Sequence, residues 1–209
     1  MRKSIIYGLA SLLLLTACDD FLSKDPRDTF INNPSFWSNS NDVTSYTNYF
    51  YTNYVGYSQN GSFGWFYFKS LSDDQLNPGF DNWTYTTIPN NSSYWSDGFT
   101  GVRRANYAIQ NLATSSLPAS TKNRFIGIAR LNRAWSYYQL VREYGDVQWL
   151  SDVIQDPNDT TAIYGERTDR DVVMDSVLTD LDYAIANIGS SSDKTAWSSN
   201  MARAMKSDI

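Results

Sequence analysis

The chain has no histidine and a single cysteine, Cys18. Without histidine, Ser-His-Asp and Cys-His nucleophilic sites are excluded, and a tetrahedral zinc site, which needs several nitrogen or sulfur ligands, has no donors to draw on. One cysteine forbids a disulfide within the chain. Glutamate is nearly missing too, with none before Glu143. Basic residues are outnumbered, Lys+Arg 17 against Asp+Glu 22, for a formal net charge of -5. Nucleic acid is therefore not an expected partner, since binding it takes a basic surface. No glycine-rich phosphate or dinucleotide motif occurs, so no cofactor is expected. Only 19% of residues are charged, yet the mean hydropathy is -0.45. Asn, Ser, Thr and Tyr carry that polarity, the profile of an uncharged, hydrogen-bonding surface.

What is present begins with an address. Met1-Arg2-Lys3 is a short basic start, and Ile5 to Leu15 is an apolar run. Eleven helical residues rise only about 16 Å, roughly half a bilayer core. Residues 1–17 therefore read as a signal peptide and not as a membrane span. Leu15-Thr16-Ala17-Cys18 resembles the bacterial lipobox, whose cysteine is acylated before cleavage leaves it first in the mature chain. More than one acyl chain on Cys18 would anchor the protein stably, where a single chain holds only marginally. Residues 18–34, charged and containing Pro26, form the expected lipidated tether.

Residues 35–209 read as one helical domain. A first helix is expected near Ser35 or Asn41, with Val43, Tyr46, Thr47, Phe50, Tyr54 and Tyr57 at spacings of three and four. Residues 56–91 are rich in Gly, Asn, Pro and aromatics and predict an irregular excursion. Trp95, Phe99, Val102, Ala105, Ile109 and Leu112 predict a helix over 93–113, with Ser92 or Ser93 as its cap. The third helix is the clearest. Ser120 is its expected cap, Phe125, Ile128, Leu131, Trp135, Tyr138 and Val141 its stripe, and Gly145 its stop. Residues 147–154 should be extended. A fourth helix is expected from about Thr168 to Ile188, opened by Thr168 and Asp171 in a capping-box-like pattern. Its stripe is Val173, Val177, Leu181, Ala184 and Ile188, and Gly189 ends it. A fifth starts near Ser198 and reaches Ile209 in mid-pattern, which suggests a fragment of a longer protein.

The residues around the third helix resemble a known family. Ala129-Arg130-Leu131-Asn132-Arg133-Ala134-Trp135-Ser136-Tyr137-Tyr138-Gln139-Leu140-Val141-Arg142-Glu143-Tyr144-Gly145-Asp146-Val147 is similar to the signature helix of the SusD/RagB family. The lipobox followed by Cys18-Asp19-Asp20-Phe21-Leu22, and Phe36-Trp37 opening an aromatic helix, resemble that family's N-terminus. Asp180-Leu181-Asp182-Tyr183-Ala184-Ile185 resembles one of its later helices. Ile128 and Gln148 depart from the pattern, where Glu and Pro are usual. The resemblance covers nearly the whole chain and only the N-terminal portion of a typical member. It implies an all-α fold of tetratricopeptide-like helix pairs with a loop-rich aromatic excursion. It also implies lipid anchoring on the outer face of the outer membrane. There the family captures oligosaccharides, or peptides in some members, beside a SusC-like TonB-dependent transporter.

Twenty of the 32 aromatic residues lie between Phe30 and Phe99, where only six residues are charged. Sugars have apolar C–H faces and a rim of hydroxyls, so they suit aromatic rings beside Asn and Asp acceptors. The candidate ligand contacts are Trp83 and Tyr85 with Asp73, Asp74, Asp81 and Asn82. Phe36, Trp37, Tyr46, Phe50, Trp95 and Phe99 sit on helical stripes and read as core. Arg103 with Arg104, and Arg130 with Arg133, read as solvated faces or local ion pairs worth ~0–1 kcal/mol. A glycosidase would need two carboxylates about 5–9.5 Å apart. Asp73, Asp74, Asp81 and Asp97 could supply a pair, but so could any acidic chain, and the expectation is no enzyme. The remaining alternative is a structural or adhesive lipoprotein with no glycan ligand.

Overall fold

The computed structural model describes residues 34–54, 92–156 and 158–209. The chain divides into two units, Met1–Phe36 and Trp37–Ile209, and every described helix longer than one turn belongs to the second. The helices are α1 (Pro34–Trp37), α2 (Ser40–Asn48), α3 (Ser93–Ala113), α4 (Ala119–Tyr144), α5 (Thr160–Ile163), α6 (Arg170–Asn187) and α7 (Ser199–Asp208), with a 3-10 turn over Tyr49–Asn53 after α2. The described residues form no strand, only an isolated antiparallel bridge between Val147 and Thr168. The fold is all-α, as expected.

Helix α4 is the axis. It packs most extensively on α6 and α3, and α2 also touches it. Successive helices run antiparallel. Tyr144 at the end of α4 meets Trp95 at the start of α3, while a Cβ on Gly127 near the start of α4 would touch Ile188 beyond the end of α6. Covered from several sides, α4 buries Gly127, Ile128, Ala129, Leu131, Asn132, Arg133, Ala134, Ser136, Tyr137 and Leu140. Its sequence stripe named only part of that surface. Trp135, Tyr138 and Val141 are half-buried, because they lie toward the outer edge of the helix. In α6 the stripe holds throughout: Val173, Val177, Leu181, Ala184 and Ile188 are all buried. Each of its larger members adds about 1.5–3 kcal/mol by leaving water.

The ends of the helices differ from expectation in instructive ways. Helix α3 keeps its expected bounds, but Ser92 forms no capping bond with its side chain. Pro118, not Ser120, is the N-cap of α4; proline's fixed φ already favours the turn into a helix, and Ser120 falls inside the first turn. Asp169, not Thr168, caps α6, its carboxylate accepting from Asp171 N at 2.8 Å. Thr168 is used elsewhere: its N–H donates to Val147 O at 3.0 Å and its Oγ1 accepts from Trp149 N at 3.1 Å. Helix α2 gives way to the 3-10 turn, so the first predicted helix is shorter than its aromatic spacing suggested. Gly145 and Gly189 stop their helices as expected, at φ 68° and 82°, a region where a side chain is strained.

Candidate functional site

A buried polar network joins three helices to the segment 147–154. Arg133 of α4 bonds Asp180 of α6 through Nε to Oδ2 at 2.7 Å and Nη2 to Oδ1 at 2.8 Å. Its Nη1 donates to Asn106 Oδ1 of α3 at 2.7 Å and to Ser151 O at 3.2 Å. Asn106 Nδ2 then donates to Leu150 O at 2.7 Å and Asp152 O at 3.3 Å. Tyr137 OH accepts from Leu150 N at 2.6 Å, and Arg103 Nη1 donates to Ile154 O at 3.3 Å. The carbonyls of Leu150, Ser151, Asp152 and Ile154 are thus satisfied by side chains where a sheet would use a neighbouring strand. Of the two expectations for Arg133, a solvated face or a local ion pair, it is an ion pair that forms, though with a partner 47 residues away and out of water. It is buried in a two-bond ion pair, and Asp180 with it. The signal available in the sequence was position: Asp180 stands three residues after Val177, inside the apolar stripe of α6.

Arg130 is half-buried, 3.5 Å from Asp180 and with its guanidinium 4.2 Å from the Tyr183 ring centroid. Arg103 is exposed, and Arg104 lies over the Tyr49 ring at 3.6 Å. A shallow cleft of about 160 Å³ opens between α3 and the segment 147–154, lined by Phe99, Val102, Arg103, Asn106, Asp152 and Val153 among others. Sites for drug-sized ligands run roughly 300–1,000 Å³, so this cleft holds no more than one small group.

The predicted ligand contacts Asp73, Asp74, Asp81, Asn82, Trp83 and Tyr85 lie outside the described residues, as does Cys18. What the described residues show is how the chain is held on either side of that segment. Before it, Tyr54 stacks on Trp135 with centroids 5.3 Å apart, and Trp135 Nε1 donates to Asn53 O at 3.2 Å. After it, Ser92 Oγ and Tyr144 OH lie 2.5 Å apart. Both partners, Trp135 and Tyr144, belong to α4.

Of the aromatics read as core, Trp37 and Phe50 are fully buried. Trp37 meets Tyr46 and Tyr107 edge-on at 4.9 and 5.8 Å. Phe36, Tyr46, Trp95 and Phe99 are half-buried. Trp95 packs against Phe99 at 4.9 Å and lies under the Arg167 guanidinium at 5.4 Å. Tyr46, Tyr54 and Tyr137 are pushed well above the ordinary tyrosine value of 10.0, chiefly by burial, which disfavours the phenolate. These phenols are neutral at physiological pH; those of Tyr46 and Tyr137 are hydrogen-bonded, while the buried Tyr54 hydroxyl has no partner among the described residues. Among the described residues no group of three His, Cys, Asp or Glu could hold a metal ion. None of the described helices is long and apolar enough to cross a membrane.

Residues 26–207 match the model of a SusD-like family described as "Starch-binding associating with outer membrane". A SusD-like protein of Bacteroides ovatus is 24% identical over 94% of this chain and 37% of its own length. SusD-like protein P2 of Formosa agariphila is 29% identical over 44% of this chain and 18% of its own. The solved structure of a SusD-like protein from Bacteroides fragilis superposes with a TM-score of 0.63 at 23% identity, covering 88% of this chain and 37% of that one. The chain therefore spans a little over a third of the B. ovatus and B. fragilis relatives. With the match running from before α1 into the last turn of α7, the chain belongs to the SusD-like family.

Proposed function

We propose that the protein is a cell-surface lipoprotein, without enzymatic activity, that binds oligosaccharides and passes them to a SusC-like TonB-dependent transporter. The observation that carries this is membership of a family described as starch-binding and associated with the outer membrane, over residues 26–207. The sequence adds two independent supports. Cys18 closes a lipobox, which accounts for attachment without a membrane-spanning helix. Trp83 and Tyr85 stand among Asp73, Asp74, Asp81 and Asn82, the residue types a sugar needs. The described frame fits the reading: α4, buried along most of its length, holds the chain on both sides of that segment.

The test is calorimetric titration with defined oligosaccharides beside thermal melts. A stacking contribution of roughly 0.5–1.5 kcal/mol plus comparable ring burial predicts a tenfold to hundredfold weaker affinity for Trp83→Ala, with an unchanged melt. A tryptophan of the core would instead cost about 3–5 kcal/mol of stability. Hydrolysis of the bound glycan would reassign the protein as an enzyme. For the partner, gentle detergent extraction of the native membrane should recover a large β-barrel in near-stoichiometric amount. A lipoprotein recovered alone would count against the transporter.

A further inference from the structure

An aromatic surface not named among the expected ligand contacts lies within the described residues. The Tyr51 ring, in the 3-10 turn, lies on Trp197 with centroids 4.1 Å apart and planes inclined by 13°. Trp197 is only 4% exposed and meets Tyr54 edge-on at 5.9 Å. Tyr54 is stacked on Trp135 in turn. Tyr51 is the outer ring of this stack and is 37% exposed, with the face against Trp197 covered. Its orientation is set by a bond from its hydroxyl to Thr195 O at 2.8 Å.

Thr195 also organises a carboxylate. Its N–H and Oγ1 donate to Asp193 Oδ1 at 2.8 and 2.7 Å. The hydroxyl bond first, and the backbone bond after it, hold the Asp193 carboxyl below the usual range. Asp193 is thus ionised at neutral pH, fully exposed, and its Oδ2 accepts no bond among the described residues. Asp193 is also close enough that, after burial, its charge helps raise the Tyr51 phenol. One threonine thus fixes a flat apolar ring beside an outward-facing acceptor.

We propose that Tyr51 and Asp193 form a second carbohydrate contact, a shelf for one pyranose unit of an oligosaccharide. The apolar C–H face of the sugar rests on the Tyr51 ring, and a sugar hydroxyl donates to Asp193 Oδ2. A pyranose fits because it offers both an apolar face and adjacent hydroxyl donors. The ring and the carboxylate are already ordered, so little side-chain entropy is lost on binding. The proposal rests on the glycan-binding reading and deepens it.

The experiment titrates the full chain with glucose heptasaccharides of α-1,4, β-1,3 and β-1,4 linkage, beside thermal melts. Tyr51→Ala and Asp193→Asn should each weaken the best of these by about threefold to thirtyfold. Tyr51→Trp should retain the affinity. Asp193→Asn keeps the acceptor that Thr195 uses and should leave the melt unchanged, so it tests the shelf even if Tyr51→Ala is destabilised. Undiminished affinity in Asp193→Asn and Tyr51→Ala overturns the shelf and leaves the glycan-binding reading in place. No binding of any heptasaccharide by the wild type overturns both.

Discussion

Arg133 and Asp180 face each other side-on across the α4–α6 interface, with paired bonds of 2.7 and 2.8 Å and side chains 7% and 2% exposed. Two charges taken this far from water are stable only while each compensates the other. Removing one partner, as in Arg133→Met or Asp180→Leu, should cost about 3–5 kcal/mol. The double variant Arg133→Met/Asp180→Leu should recover much of that loss. Denaturant unfolding of the four proteins gives the coupling directly. Additive losses would mean that the pair does not act as a unit.

Gly101 of helix α3 lies tight against α4. A Cβ added there would sit 2.4 Å from Ser136 Oγ and 3.3 Å from its Cβ. Ser136 is buried, and its hydroxyl donates to Asn132 O at 3.0 Å, so it cannot swing away freely. Gly101→Ala should destabilise by about 1–3 kcal/mol. Ser136→Ala, made in the same chain, should restore part of it by removing the oxygen. Thermal melts of the single and double variants test this; a tolerated Gly101→Ala would show that the helices can part.

Stability should fall in alkali. Tyr137 is raised above 10.0 by burial, so from about pH 10 the unfolded chain releases a proton that the folded chain keeps. The tyrosine's contribution is fully present below pH 10 and is lost as pH rises toward its folded value. Tyr137→Phe cannot titrate and should lose stability less steeply between pH 9 and about pH 11.5, although it starts lower for want of the Leu150 bond. Parallel slopes for the two proteins would contradict the assignment.

Acylation should follow Cys18 alone. A fatty-acid probe fed to cells should label the wild type and leave Cys18→Ala unlabelled, since the chain contains no other thiol. Equal labelling of both would remove the lipid anchor from the proposal.

Much of the scaffold was legible because helix periodicity is a local property. The apolar stripe of α6 is buried residue for residue, the bounds of α3 are those its pattern predicts, and Gly145 and Gly189 end their helices. The caps were less legible. Ser120 and Thr168 have capping side chains, but the N-cap positions fall to Pro118, which makes no side-chain capping bond, and to Asp169, which does, because the path of the preceding chain decides where each helix begins. The expected ligand contacts around Trp83 rest on composition alone and lie outside the described residues.

By itself, the sequence determined the helical class, the apolar stripe of α6, the position of the lone thiol and the family signature from Ala129 to Val147. Each follows from residue type and spacing along the chain. Only the tertiary structure decided that Arg133 is buried, that Asp180 is its partner 47 residues away, and that Asn106 carries the network to the carbonyls of Leu150 and Asp152. Only there, too, do Tyr51 and Thr195 meet, 144 residues apart. The reason is physical: a charged or aromatic side chain has the same local pattern whether water or another side chain satisfies it, and which of the two does so depends on groups brought near by packing.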